Sequence, residues 1–287
     1  MAKNTQNTRS GKPKPASKGK KRKSSRRGAR KKKIQLKVSI WVTCIILLVL
    51  SIWTIWPYLC DHSSPEKGDT VPKGSYCYGI DISHYQENIQ WDSLMVLSDG
   101  ARRTVRSKIK AKDIKPVSFV FIKATEGTSM KDKKFRHHWK EAEKRNITKG
   151  AYHFFRSSKS GKIQARHFIN TVGDISPDDL PPVLDIETIH KGCSHKTLND
   201  RALDWLETIS EHYGRKPVIY SSASFIENIL SDEIKKNYPI WVAHYGTERP
   251  RWDRWHIWQF TDKAVVYGVE GYTDLNVCSP EYLKSLL

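Results

Sequence analysis

The stretch "PPVLDIETIH" runs from Pro181 to His190. Pro181 and Pro182 stop any preceding helix, and Val183, Leu184 and Ile186 form a short apolar run of the kind that fills the core of a sheet. Two carboxylates interrupt that run. On a strand, residues two apart point to the same side, so Asp185 and Glu187 would face one point with Cα atoms roughly 6.5 Å apart. Like charges held that close raise one pKa, which supplies a proton donor and an anion together near neutral pH. Capping of the next helix, or pairing with basic side chains, is the plain alternative for such acids.

Working outward, "YGIDIS" (78–83), "VSFVFIKATEG" (117–127), "GAYHFF" (150–155) and "PVIYSS" (217–222) are further short apolar runs. Each of these five runs is followed by a plausible helix. The clearest are "DKKFRHHWKEAEKRN" and "KTLNDRALDWLETISEHYG", where Leu198, Ala202, Leu206 and Ile209 recur at helical spacing. Strand and helix in alternation predict a parallel sheet with right-handed crossovers. Beyond the fifth unit, "YPIWVAHYG", "WHIWQFT" and "YTDLNV" read as strands separated by gaps too short for full helices. The expectation is an α/β fold, a modified TIM-like (β/α) barrel of about eight strands and five helices.

In such barrels the chemistry sits at the carboxyl ends of the strands. Asp81 falls near the end of the first strand, Asp185 and Glu187 at the end of the fourth, and Asp274 at the end of the eighth, so all four acids are expected at one mouth. Tyr85, Tyr152, His153, Tyr220, Trp241, His244, Tyr245, Trp258 and Gln259 also fall at or near strand ends. Carboxylates among aromatic and amide side chains suit a carbohydrate, because ring faces pack on sugar C–H surfaces while polar groups read hydroxyls and acetamides. Core packing is the other role open to each aromatic.

The chain has 287 residues and a formal net charge of +20, but residues 1–37 hold 16 of its 50 Lys and Arg and no acid. The remainder carries 34 basic and 30 acidic residues, close to balance for a soluble domain. "VSIWVTCIILLVLSIWTIWPYL" (38–59) has no charge in 22 positions. A helix of that length spans roughly 30 Å, the thickness of a bilayer's hydrocarbon core. Trp41 at one end and Trp53, Trp56 and Tyr58 at the other sit where aromatic belts form. The basic tail then predicts a cytoplasmic amino terminus and a type II single-pass protein whose domain lies outside the cytoplasm. Next to a membrane span, the tail serves as a topology signal and contacts anionic lipid, rather than nucleic acid. The expected divisions are a disordered tail (1–37), a transmembrane helix (38–59), a polar linker (60–75) and a catalytic domain (76–287).

The domain blocks "YGIDISHYQENIQW", "FVFIKATEGTSMKDKKF", "KGAYHFFR", "PPVLDIE", "KPVIYSS", "PIWVAHYG", "IWQFT" and "GYTDLN" resemble, in order and near-spacing, glycoside hydrolase family 25, the lysozymes of the N,O-diacetylmuramidase type. The resemblance covers Tyr76 to Leu287. It implies that Glu187 is a general acid acting on the bond from N-acetylmuramic acid to N-acetylglucosamine in peptidoglycan glycan strands. Asp185 is implied to orient the substrate's 2-acetamido group or stabilise the oxocarbenium charge, with Asp81 and Asp274 in positioning and electrostatic roles. No metal and no cofactor is implied, and His137, His138, His190 and His195 form no ligand spacing.

Two other readings are a wall-binding module that keeps the groove without turnover, and a chitinase-like or other hydrolase of N-acetylated glycans. Chitinases of family 18 carry acids at two further alternate positions, where this chain has Val183 and Pro181. Leu97 to Pro116 is longer and more basic than the family's usual link, and is expected as a solvated loop on the amino-terminal face of the barrel. Among the cysteines, Cys193 and Cys278 both follow catalytic strand ends and are candidate neighbours, whereas Cys77 is expected toward the opposite face; the spacing leaves their pairing open.

Overall fold

The computed structural model describes residue 41, residues 43–49, residue 51 and residues 65–286. The chain divides into two units, Met1–His62 and Ser63–Leu287. In the first, Trp41, residues 43–49 and Ser51 are helical and exposed. The expected tail, and most of the expected membrane span, lie outside the described residues. Among the described residues no helix is long and apolar enough to cross a membrane.

The second unit is built on a closed barrel. Its strands are β1 (Lys67–Thr70), β2 (Cys77–Ile82), β3 (Met95–Ser98), β4 (Arg103–Val105), β5 (Asp113–Glu126), β6 (Met130–Lys131), β7 (Thr148–Phe154), β8 (Val183–Asp185), β9 (Val218–Ser222), β10 (Ile240–Ala243), β11 (Ile257–Ala264) and β12 (Thr273–Cys278). Eight of them close the barrel in the order β2-β5-β7-β8-β9-β10-β11-β12 and back to β2. The helices are α1 (Phe135–Lys144), α2 (Gly161–Val172), α3 (His195–Tyr213), α4 (Ala223–Asn228), α5 (Asp232–Asn237) and α6 (Pro280–Ser285). All but α1 begin on a serine whose side chain accepts a backbone N–H of the first turn, which satisfies a donor the helix itself leaves unpaired. Helix α3 ends at Gly214, whose φ of 66° is the left-handed C-cap that glycine adopts without strain. Leu198, Ala202, Leu206 and Ile209 are all fully buried beneath α3.

Strand alternation sorts the core into two parts. Phe119, Phe121, Val183, Val218, Trp241, Ile257 and Cys278 pack inside the barrel. Val120, Ile122, Leu184, Ile219 and Val242 face the other way and join the larger cluster under the helices. Gly79 sits where a Cβ would stand 2.2 Å from the Phe119 ring, so only glycine lets that ring fill the barrel's interior.

Four expectations are corrected. First, the eighth barrel strand is not parallel: β12 runs antiparallel to both β11 and β2. Asp274 therefore stands near the start of its strand, and reaches the mouth because the strand is reversed. Second, the first crossover holds only a 3-10 turn (Trp91–Ser93) rather than a full helix.

Third, residues 97–116 are not a loop. "MVLSDGARRTV" makes the hairpin β3–β4, and β3 pairs antiparallel with the first half of β5. Asp99 Oδ1 accepts the N–H groups of Ala101 and Arg103, a turn that lets Val96, Leu97, Thr104 and Val105 bury while Arg103 stays exposed and Arg102 donates to Val71 O. The second half of the expected linker docks beside this hairpin. Strand β1 pairs with β4, Asp69 accepts the Thr261 hydroxyl at 2.6 Å, and the Arg106 guanidinium donates to the carbonyls of Pro65, Val269 and Gly271.

Fourth, reversal of β12 carries Cys278 to the end of the barrel where Cys77 begins β2, so these two are cross-strand partners. Cys193 lies elsewhere, in the connection before α3, with its Sγ donating to Ser157 O at 3.5 Å.

Candidate active site

The four acids do meet. Asp81 (β2), Asp185 (end of β8), Glu187 (just beyond β8) and Asp274 (start of β12) line one cavity of about 350 Å³. Strand β8 itself stops at Asp185, but Ile186 continues the ladder by donating its N–H to Tyr220 O at 3.0 Å. Glu187 thus keeps the facing that alternation gives Asp185. Asp185 is buried, and Glu187 is exposed at the rim.

Strand alternation also decides which aromatic and amide side chains reach the cavity. Tyr85, Tyr152, Tyr220, Trp241, Tyr245 and Gln259 line it. Three expected residues do not, two of them, His153 and Trp258, because each is adjacent in sequence to a residue that does. His153 follows Tyr152 and points outward, where its ring contacts Thr125 and Gln164 and stacks on Trp205 at 5.7 Å. Trp258 precedes Gln259 and lies in the outer core, its Nε1 donating to His244 O. His244 lies past the end of β10 and lines an adjoining groove with Glu187, Tyr220, Tyr245 and Arg251. Lys123, Gln86, Phe154 and Asp262 line the cavity without having been singled out in the sequence. For Lys123 the signal was there: it continues the inward series Phe119, Phe121.

A hydrogen-bonded chain fixes Asp81. Its Oδ2 accepts from Gln259 Nε2 and Asn276 Nδ2, both at 2.8 Å. Gln259 Oε1 in turn accepts the phenol hydroxyls of Tyr220, at 2.7 Å, and Tyr245. Asn276 Oδ1 accepts Trp241 Nε1–H at 2.8 Å. The Trp241 indole can only donate, which holds the Asn276 oxygen toward it and the Asn276 nitrogen toward Asp81, and the two tyrosine hydroxyls leave the Gln259 nitrogen to face the same carboxylate. Trp241 is held further by stacking on Phe121 at 4.6 Å. Asn276→Leu keeps the volume but strands Trp241 Nε1 and removes one of Asp81's donors. We expect a loss of about 2–4 kcal/mol in unfolding free energy, read by urea denaturation, since each buried group left unpaired costs about 1–3 kcal/mol. A change below about 0.5 kcal/mol would show that the chain carries no such weight.

The electrostatics follow from burial. Desolvation, opposed by the Asn276 and Gln259 hydrogen bonds and reinforced by Glu187, raises Asp81 to about 6. Desolvation, then Asp81 and Asp262, push Asp274 up to about 8. Asp185 is raised well above its ordinary value by burial and by Glu187 beside it, and its Oδ1 has no hydrogen-bond partner. Lys123 opposes that rise but is itself paired with Glu126 at 2.8 Å.

An acid with a raised folded-state pKa binds more protons folded than unfolded. Its contribution to stability is complete below the ordinary value and is lost as pH climbs through the folded value. Below pH 6.5 the buried His138 and His153, lowered from 6.5 to about 4 and about 3, add stability as pH rises and oppose this loss, so the melting temperature should fall between pH 6.5 and 8, as pH climbs toward the Asp274 value near 8. Asp274→Asn should flatten the upper part of that fall and raise the melting temperature at pH 8. A melting temperature that rises with pH across this window would contradict the assignment.

A family model of glycosyl hydrolases family 25 matches residues 80–269. The uncharacterized protein YegX of Escherichia coli is 38% identical over 209 residues, covering 72% of this chain and 71% of that protein. Lysozyme M1 of Streptomyces globisporus is 34% identical over 212 residues, covering 69% of this chain and 66% of that one. The crystal structure of a bacterial lysozyme from Streptomyces coelicolor superposes with a TM-score of 0.62 at 31% identity, covering 75% of this chain and 98% of that chain.

Proposed function

The chain belongs to glycosyl hydrolases family 25 and is a glycoside hydrolase, and on that premise we propose that it is a membrane-anchored muramidase. It hydrolyses the β-1,4 bond between N-acetylmuramic acid and N-acetylglucosamine in peptidoglycan. The observation that carries the reading is the convergence of Asp81, Asp185, Glu187 and Asp274 in one aromatic-lined mouth.

Burial, and then the Glu187 carboxyl beside it, raise Asp185 well above its ordinary value, so Asp185 keeps a proton near neutral pH. Glu187 is the exposed member of the two, so it is the carboxyl placed to give a proton to the glycosidic oxygen of a sugar lying across the mouth. Asp185 then faces the acetamido group or the positive charge at the anomeric carbon. Asp81, held in place by its two amide donors, concentrates negative potential around that cation, and Asp274, raised to about 8, stands beside it as a largely protonated positioning group near neutral pH. Tyr85, exposed at the rim, offers a ring face to the sugar, while Trp241 forms the buried floor of the mouth, stacked on Phe121.

Purified sacculi incubated with the protein should release soluble glycan fragments. Binding to sacculi with no release would favour a wall-binding module, and cleavage of N-acetylglucosamine oligomers alone would favour a chitinase-like hydrolase.

The uncharged 38–59 segment behind 16 basic residues supports anchoring, with the amino terminus cytoplasmic and the tail against anionic lipid. Tethering suits local trimming of the producer's own wall. The full chain should stay in the membrane fraction through a high-salt wash, and its domain should be digested by protease added to spheroplasts. Recovery in the soluble fraction would overturn the anchor while leaving the enzymatic reading in place.

A further inference from the structure

We propose that Cys77 and Cys278 form a disulfide across the seam where β2 and β12 close the barrel. The two are Cα partners in an antiparallel ladder, and both belong to the inward-facing set of their strands, the set that holds Asp81 and Asn276. Residues directly opposite in such a ladder share a face with Cα atoms about 4.5 or 5.5 Å apart, and either spacing lies inside the range a disulfide spans, about 4.4–6.8 Å. Both cysteines are free thiols in the structure, Cys278 buried within the barrel's interior cluster and Cys77 half-buried against it.

The position matters to the site. Strand β12 closes the barrel and leads into the six-residue α6. It carries Asp274 and Asn276, while β2 carries Asp81, so the register of this one pair aligns two mouth acids. A slip of one residue would turn Asp274 and Asn276 to the other face. A covalent bond at the far end of the same two strands pins that register.

The bond forms by exchange with a disulfide donor, either a protein disulfide oxidoreductase or a low-molecular-weight disulfide. The Cys77 thiolate, the more accessible of the two, attacks one donor sulfur and releases one donor thiol. The Cys278 thiolate then attacks the Cys77 sulfur of the mixed disulfide and expels the second donor thiol. The protein loses two protons and two electrons, and the donor disulfide becomes two thiols. Burial pushes the Cys278 thiol up to about 12, so the second step belongs to folding, before β12 packs down.

The bond rests on the strand geometry, whereas its presence in cells rests on the extracytoplasmic placement proposed above. The test therefore has two arms, both on the full chain. In the first, purified protein is denatured, refolded in reduced and oxidised glutathione, alkylated in denaturant and mapped by mass spectrometry without reduction. A linked Cys77–Cys278 peptide is expected, with a melting temperature on the order of 10 °C higher than after reduction. In Cys77→Ser, reductant should leave the melting temperature unchanged. Full alkylation of both cysteines under oxidising glutathione, or a wild-type melting temperature indifferent to reductant, overturns the proposal. In the second arm, cells are quenched with N-ethylmaleimide before lysis. Linked peptide there supports both bond and placement, while alkylated thiols in cells together with a bond in the first arm support the bond and overturn the placement.

Discussion

Glu187→Gln is expected to lower kcat on peptidoglycan by about 10³-fold while KM stays within a factor of about three, as for loss of a proton donor that acts only in the transition state. The amide keeps the size and hydrogen-bonding reach of the side chain but has no proton to give. Because Glu187 is exposed at the rim, the substitution should leave the fold intact and the melting temperature within a degree or two of wild type. A variant that retains more than about a tenth of wild-type kcat would remove Glu187 from the acid role.

Asp185→Asn is the second large effect, and it separates chemistry from stability. The side chain is buried, one oxygen has no partner, and its neighbour Glu187 raises its pKa further. Ionising it in the folded state is therefore costly. The sign is the same as for Asp274: stability is complete below the ordinary value of 3.8 and is lost as pH rises through the raised one. The amide removes that loss, so the variant should melt at or above the wild-type temperature at pH 8. Activity should move the opposite way, down about 10²–10³-fold, because the carboxyl that faces the acetamido group and the developing cation is gone. Loss of activity together with a lower melting temperature would mean that Asp185 serves the fold rather than the reaction.

Much of this geometry was legible in the residues. The eight barrel strands follow from short apolar runs, and α3 from Leu198, Ala202, Leu206 and Ile209 on one face. The meeting of Asp81, Asp185 and Glu187 follows from their places at the carboxyl ends of strands, whereas Asp274 joins them from the start of a reversed strand. What failed did so for identifiable reasons. His153 and Trp258 were grouped with Tyr152 and Gln259, yet adjacent residues on a strand cannot share a face. The Asp-Gly turn in "MVLSDGARRTV" marks a hairpin, but the high charge of that segment obscured alternation that is plain once the buried Val96, Leu97, Thr104 and Val105 are seen together.

Other features depend on contacts that local sequence does not encode. The direction of β12 is set by its pairing with β2, about 200 residues away, and nothing within "YTDLNV" distinguishes a parallel from an antiparallel strand. Docking of β1 depends on Arg106 reaching three carbonyls from two distant segments. Asn276 reads as an ordinary strand residue until Trp241 and Asp81 are found on either side of its amide.

The most direct test of the muramidase reading is the identity of the new reducing ends when the full-length protein digests purified peptidoglycan, determined by mass spectrometry after borohydride reduction. Reduced N-acetylmuramic acid at the fragment ends, absent from a parallel digest with Glu187→Gln, is the expected result. Reduced N-acetylglucosamine at those ends, or fragments produced equally by the variant, would contradict it.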